Sequence, residues 1–368
     1  MELNRYLMLM PRYQASDLFF SAGAPVGIKI NGRVRMIEPE RKLEAQQVRE
    51  LAYSVLSDAQ QAEFERNLEL NVGLPLAGVG RFRINVFRQR GAVSMVVRYI
   101  TSHIPSLEQL NLPPKLSELV LAPRGLVLVV GSTGSGKSTT LASMIDYRNA
   151  QVPGHILTVE NPIEYLHHHK KNIVDQREIG LDTHSYENAL TNAMRESPDV
   201  ILIGEIRERE TMAHAIAYAE TGHLCLSTLH ANNANQTLDR IINFFPDTAH
   251  RQLRNDLAQN LRAIVSQRLL PTTDGKRVPA VEILLNTPFV SELIEKGEVF
   301  QLKEAMAQGR EVGMQTFDQS LYELYESGLI SREVALDNAD SRNDLGLRIR
   351  LAGSGSADGA GLSLDGDG

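Results

Sequence analysis

Leu126–Ser138, LVLVVGSTGSGKS, is the stretch on which the fold turns. Its apolar run, 126–130, reads as a buried strand, and from Gly131 to Ser138 the chain fits the pattern G-x-x-x-x-G-K-[ST] ahead of a helical run beginning at about residue 137. In that order each residue type has a task. The glycines let the loop Ser132, Thr133, Gly134, Ser135 and Gly136 curl until several backbone N–H groups face one phosphate. The helix N-terminus adds partial positive charge. Lys137 reaches the β- and γ-phosphates, and the Ser138 hydroxyl is placed to ligate Mg²⁺. A glycine-rich turn with a chance lysine is the bland alternative, and the strand before and helix after argue against it.

Downstream, strands are expected at 155–160, 200–203 and 224–228, with helices from about 186 and about 209. Alternation of this kind implies right-handed crossovers and a parallel sheet, an α/β class. After Asp256 the chain reads as mostly helical with a short strand at Ala280–Leu285. Upstream, from Ser16 to about Ile100, the texture is strand-rich. Asn31-Gly32 signals a hairpin, a helical stretch from Leu43 to about Asn67 breaks near Ser57-Asp58, and GRFRINVFRQRGAVSMVVRYI reads as two strands joined at Gly91. The expected layout is an α+β domain over 1–100, a proline-punctuated linker over 101–114, an α/β domain over 115–350 and a disordered tail, 351–368, rich in Gly, Ser and Asp.

Composition agrees. A length of 368 residues favours two domains, and 42% hydrophobic residues suffice for ordinary cores. The net charge of -7 argues against a nucleic-acid coat, and the single cysteine, Cys225, against a disulfide scaffold or cysteine-rich metal site. Apolar runs such as Leu126–Val130 are far too short to span a bilayer, and the N-terminus does not read as a secretory signal. A soluble protein, at most peripheral to a membrane, is expected.

A phosphate loop leaves the activity open, so the acids around it must decide. Asp199 opens one strand and Glu205 lies just past its end, roughly 20 Å away at ~3.3 Å per residue. Ligands gather at the C-terminal ends of parallel strands, so Glu205 is the candidate to hold Mg²⁺ through water and orient the attacking water, and Asp199 a strand-start residue. Glu160, the last residue of the intervening strand, and Glu164, just past it, are further candidates for activating water, with exposed surface acids as the alternative. His230 falls at the phosphate edge and His223 at the far end of the same strand. His167-His168-His169, with Lys170 and Lys171, reads as a solvated basic patch rather than a metal site.

GSTGSGKSTT, TVENPIEYLH, DVILIGEIRERET and AETGHLCLSTLHANNA, in that order, resemble the Walker A, Asp, Walker B and His boxes of the secretion ATPases that drive type II secretion and type IV pili. GVGRFRINVFRQR resembles that family's arginine-bearing strand. HANNANQTLDRIINFFP and GMQTFDQSLYELY are similar to the pilus-retraction branch. The resemblance implies a PAS-like N-terminal domain, a RecA-like ATPase domain and a hexameric ring with ATP between the domains. It carries nucleotide binding to Gly134, Gly136, Lys137, Ser138 and Thr139, catalysis to Glu164 and Glu205, and His-box roles to His223, placed with the nucleotide-binding residues, and His230, placed with the catalytic ones. Arg81, Arg83 and Arg98 would contact phosphate when the domains close, whereas Arg88 and Arg90 suit a solvated basic edge. It further implies retraction work at the cytoplasmic face of the inner membrane, on a platform protein and beside a related retraction ATPase. One position departs from the pattern: Asn161 stands where the Asp box carries an aspartate, which removes a charge and leaves open a weakly active or regulatory paralogue. A RecA-like nucleic-acid motor is the reading from another class, and the negative charge counts against it.

Overall fold

The computed structural model describes residues 3–30 and 32–354. The chain folds as two compact units, one taking in residues up to Ile104 with Val159–His169 and Gln176–Ala189, the other Pro105–Thr158, Lys170–Asp175 and the chain from Leu190 onward. The sequence carries no sign that two later segments belong with the first unit. No helix among the described residues is long and apolar enough to cross a membrane.

The first unit is built on a six-stranded sheet of β1 (Ala15–Phe20), β2 (Val26–Ile30), β3 (Arg33–Ile37), β4 (Glu69–Leu76), β5 (Gly80–Gln89) and β6 (Ala92–Ile100), in the order β3-β2-β1-β6-β5-β4. Every neighbouring pair runs antiparallel. In β5 the buried Phe82, Ile84 and Val86 alternate with half-buried Arg81, Arg83 and Asn85, so period-two geometry sends one set into the core and the other to the opposite face. The helical stretch is broken as expected, into Ala45–Tyr53 and Asp58–Asn67, and Ser57 caps the second helix by accepting from the Gln60 N–H. The hairpin β2–β3 is present, although Asn31 of its expected turn lies outside the described residues. β4 is a further strand that the sequence does not announce, because Gly73 and Pro75 punctuate it at the sheet edge.

The second sheet has seven strands: β7 (Gly125–Val130), β8 (Gly154–Glu160), β9 (Asn172–Glu178), β10 (Val200–Ile203), β11 (Leu224–Leu229), β12 (Leu261–Pro271) and β13 (Arg277–Leu285), ordered β13-β12-β7-β11-β10-β8-β9. β12, β7, β11 and β10 run parallel, and β7 and β11 are buried along their whole length, which is why they read as unbroken apolar runs. Two expectations are corrected. The sheet is mixed, because β13 lies antiparallel to β12. The region after Asp256 is also less helical than expected: β12 is an additional strand, and β13 begins at Arg277, not Ala280. A strand buried on both faces shows no alternation, so its apolar residues satisfy a helical period equally well. Helix Arg342–Ser354 likewise carries order into the first residues of the expected tail, the remainder of which lies outside the described residues.

Candidate functional site

Where β7 ends, the backbone enters the glycine loop. Gly134 and Gly136 have φ of +79° and +90°, in the left-handed region that favours glycine. At Gly131 the constraint is space: a Cβ there would lie 2.4 Å from the Ser135 hydroxyl and 2.5 Å from the Gln267 carbonyl. Gly136 occupies the N-cap of helix Lys137–Gln151 without a side-chain cap, which leaves the first-turn N–H groups directed at whatever lies over the loop. Lys137, 9% exposed, donates from Nζ to the Gly131 and Ser132 carbonyls at 2.9 and 2.8 Å. Ser132, Thr133 and Gly134 form an exposed rim, and Ser138 and Thr139 are half-buried on the first helical turn. The buried Ser135 hydroxyl has no hydrogen-bond partner, a donor in a loop whose remaining groups suit an anion.

β10 and β11 end at the same sheet edge, since Leu229 pairs with Val130 and Ile203 with Ser227. Beyond β10, the Thr228 hydroxyl donates to the Gly204 carbonyl at 2.7 Å and the Ile206 N–H to the Thr228 carbonyl at 2.9 Å, which pins the turn bearing Glu205. The Glu205 carboxylate is bracketed, with Oε1 3.1 Å from His230 Nε2 and Oε2 accepting from Arg207 Nη2 at 2.6 Å. A cleft of about 360 Å³ runs from Gly131 and Ser132 past His230 to Asn232, Gln236 and Arg240. Thus the loop, Glu205 and His230 share one edge, as the spacing predicts. Arg207 was missed; its only signal was a position two residues beyond Glu205. The residues suit Mg²⁺, with the Ser138 hydroxyl and the Glu205 carboxylate both at this edge.

His223, expected among the nucleotide-binding residues, is not brought here. Its neighbour Leu224 pairs with Gly125, at the opposite end of β7 and roughly 20 Å from the loop, and its Nδ1 contacts the Thr221 hydroxyl and Tyr218 carbonyl. Asp199 is the strand-start residue anticipated, accepting from the His155 N–H at 2.8 Å.

The remaining candidates lie in the first unit. Arg83 and Arg98 are directly opposed across β5 and β6, and Arg81 shares their face two residues on. Each of the opposed pair has a carboxylate in its own unit: Arg98 Nε donates to Asp17 at 3.0 Å, and Arg83 Nη1 lies 3.7 Å from the buried Glu178. Arg88 pairs with Glu65 over the Phe64 ring, a structural role. Glu160 accepts from Gln176 at 3.3 Å, while Asn161 and Glu164 are exposed. His168 and His169 are exposed in irregular chain, not on a strand.

The family model described as Type II/IV secretion system protein matches residues 2–327. The chain is 54% identical over 359 residues to the "Type IV pilus ATPase PilU" of Pseudomonas aeruginosa, covering 97% of this chain and 94% of that one. It is 43% identical over 339 residues to the "Type IV pilus retractation ATPase PilT" of the same organism, covering 92% and 98%. Among solved structures, the pilus retraction motor PilT with bound ADP superposes with a TM-score of 0.87 at 42% identity, covering 94% of this chain and 99% of that one.

Proposed function

We propose, from the premise that this chain belongs to the Type II/IV secretion system protein family and is an ATPase, that it is a motor powering retraction of type IV pili. The observation that carries the chemistry is the Glu205 carboxylate, held between His230 and Arg207 at the sheet edge where the glycine loop opens. ATP binds with its phosphates over Ser132–Ser138, Lys137 exchanging its two carbonyl contacts for phosphate oxygens. Glu205 orients the attacking water and accepts its proton, with Glu160 and Glu164 as further acids. His230, bound to Glu205 and bordering the cleft, connects the acid to the γ-phosphate position. Mg²⁺, when bound through Ser138 and Glu205, neutralises charge that develops on the phosphates.

At larger scale the reading is a RecA-like ATPase domain over 115–350 joined by a linker over 101–114 to a PAS-like domain over 1–100. Six copies form a ring at the cytoplasmic face of the inner membrane, beside a related retraction ATPase and against a platform protein. Arg81, Arg83 and Arg98 meet phosphate when the domains close, so that chemistry and motion are coupled. The likeness to PilT and PilU supports this reading.

Replacing Lys137 by Ala is expected to abolish both ATP hydrolysis and pilus retraction; turnover retained in that variant contradicts the site. A second reading rests on Asn161, an exposed amide where the family pattern has an acid. It makes the chain a weakly active partner of another ring, and it requires that Asn161→Asp raise turnover of the isolated protein.

A further inference from the structure

Gln267 lies on β12, one residue past the pairing of Ser266 with Val130, and so stands beside the glycine loop on the side away from Glu205. It is 3% exposed. Its Nε2 donates to the Ser135 carbonyl at 2.8 Å, and its Oε1 accepts from the Thr140 hydroxyl at 2.8 Å. Its own backbone carbonyl abuts Gly131, and Nε2 lies 2.8 Å from where a Gly136 Cβ would stand. Gln267 therefore meets the start of the loop through its backbone, and through its side chain the loop's last peptide and the first turn of the following helix.

The consequence follows from peptide planarity. Ser135 C=O and Gly136 N–H belong to one trans peptide unit and point in opposite directions. Fixing the carbonyl toward β12 turns the N–H away from β12, toward the open side of the loop. Thr140 fixes the amide in turn: with its hydroxyl donating to Oε1, the NH₂ end is the one presented to Ser135. Without this clamp a left-handed glycine peptide is free to flip, since glycine adopts either sign of φ at little cost.

We propose that Gln267 is a positioning residue for nucleotide binding: it locks the Ser135–Gly136 peptide so that the Gly136 N–H faces the phosphates, and Thr140 sets its orientation. This rests on the nucleotide site proposed above. Because the N–H would serve bound ATP and its transition state alike, its loss should raise KM and leave kcat nearly unchanged.

The test is steady-state ATPase kinetics with ADP affinity and thermal melting, on the full chain and its Gln267→Leu, Thr140→Val, Thr140→Ser and Lys137→Ala variants. The expected result is that Gln267→Leu raises KM for ATP and Kd for ADP about tenfold with kcat within about twofold, the loss typical of one charge-assisted hydrogen bond. Thr140→Val raises both about threefold, and Thr140→Ser, which keeps the hydroxyl, matches the parent. Wild-type KM and Kd in Gln267→Leu overturn the proposal, as does a lowered melting temperature with unchanged affinity, which would make the contact mere packing. Should Gln267→Leu fail to fold, Thr140→Val decides alone, and unchanged affinity there overturns the clamp. If Lys137→Ala binds ADP like the parent, the nucleotide site itself is misplaced; if it loses ADP and Gln267→Leu does not, only the clamp fails.

Discussion

Glu282 is a carboxylic acid placed where a carboxylate is costly. On β13 it is 2% exposed, and its Oε1 accepts from the Ala234 N–H and the Ser266 hydroxyl, both at 2.8 Å. Its pKa is raised from 4.5 to about 7, chiefly by burial and with a further push from Asp340, against the pull of these two donors and Arg268. A group whose folded pKa is raised binds more protons folded than unfolded between the two values, so its contribution to stability falls as pH rises from 4.5 to about 7 and is level above. Across that window the shift corresponds to roughly 3 kcal/mol. Glu282→Gln keeps an acceptor but removes the charge. Compared with the parent in urea unfolding, its relative stability should therefore climb between pH 5 and pH 8, and parallel pH profiles would refute the assignment. Gly136→Ala tests the loop at the same scale: φ of +90° and a Cβ 2.8 Å from Gln267 Nε2 should weaken ADP binding at least tenfold in a calorimetric titration. The loop, Glu205 and His230 were legible because each obeys a spacing with a chemical reason. Gln267 and Glu282 were not, since only a three-dimensional neighbour gives either a task.

Among the elements, β10 and β11 illustrate how a sheet aims a side chain. Hydroxyls of Ser227 and Thr228 donate to the Ile203 and Gly204 carbonyls, both at 2.7 Å, so β11 holds the end of β10 and with it the turn bearing Glu205. Thr228→Val, nearly the same shape, leaves the Gly204 carbonyl without that donor. Turnover should fall about tenfold while ADP affinity stays at the parent value, as expected when an acid loses its aim and the phosphate loop is untouched. Turnover at the parent rate would show that the turn holds itself. β7 and β11 could be read from sequence because short apolar runs were bounded by a glycine loop and by histidines. β12 could not, because residues 263–267 at its centre are buried on both faces and its apolar positions fit either period. β4 and β9 escaped for other reasons, the first interrupted by Gly73 and Pro75, the second mixing Asp175, Gln176 and Arg177 into its apolar positions.

The whole molecule comprises two units of unlike construction, one with an antiparallel sheet whose β5–β6 face gathers Arg81, Arg83 and Arg98, the other with a mixed sheet whose edge gathers the glycine loop, Glu205 and His230. Texture alone distinguished them in sequence, the first strand-rich and the second alternating strand with helix. Adoption of Val159–His169 and Gln176–Ala189 by the first unit was not visible, because chain order does not reveal which unit a crossover joins. All of the proposed motor work depends on ATP being cleaved at the edge where Glu205 stands. The measurement that tests this most directly is the single-turnover rate of phosphate release from ATP by the parent chain and by Glu205→Gln, with ADP affinity measured alongside. Loss of the acid should slow cleavage by about 10²-fold or more, the usual contribution of a positioned general base, with ADP bound as tightly as before. Phosphate release at the parent rate from Glu205→Gln would contradict the account.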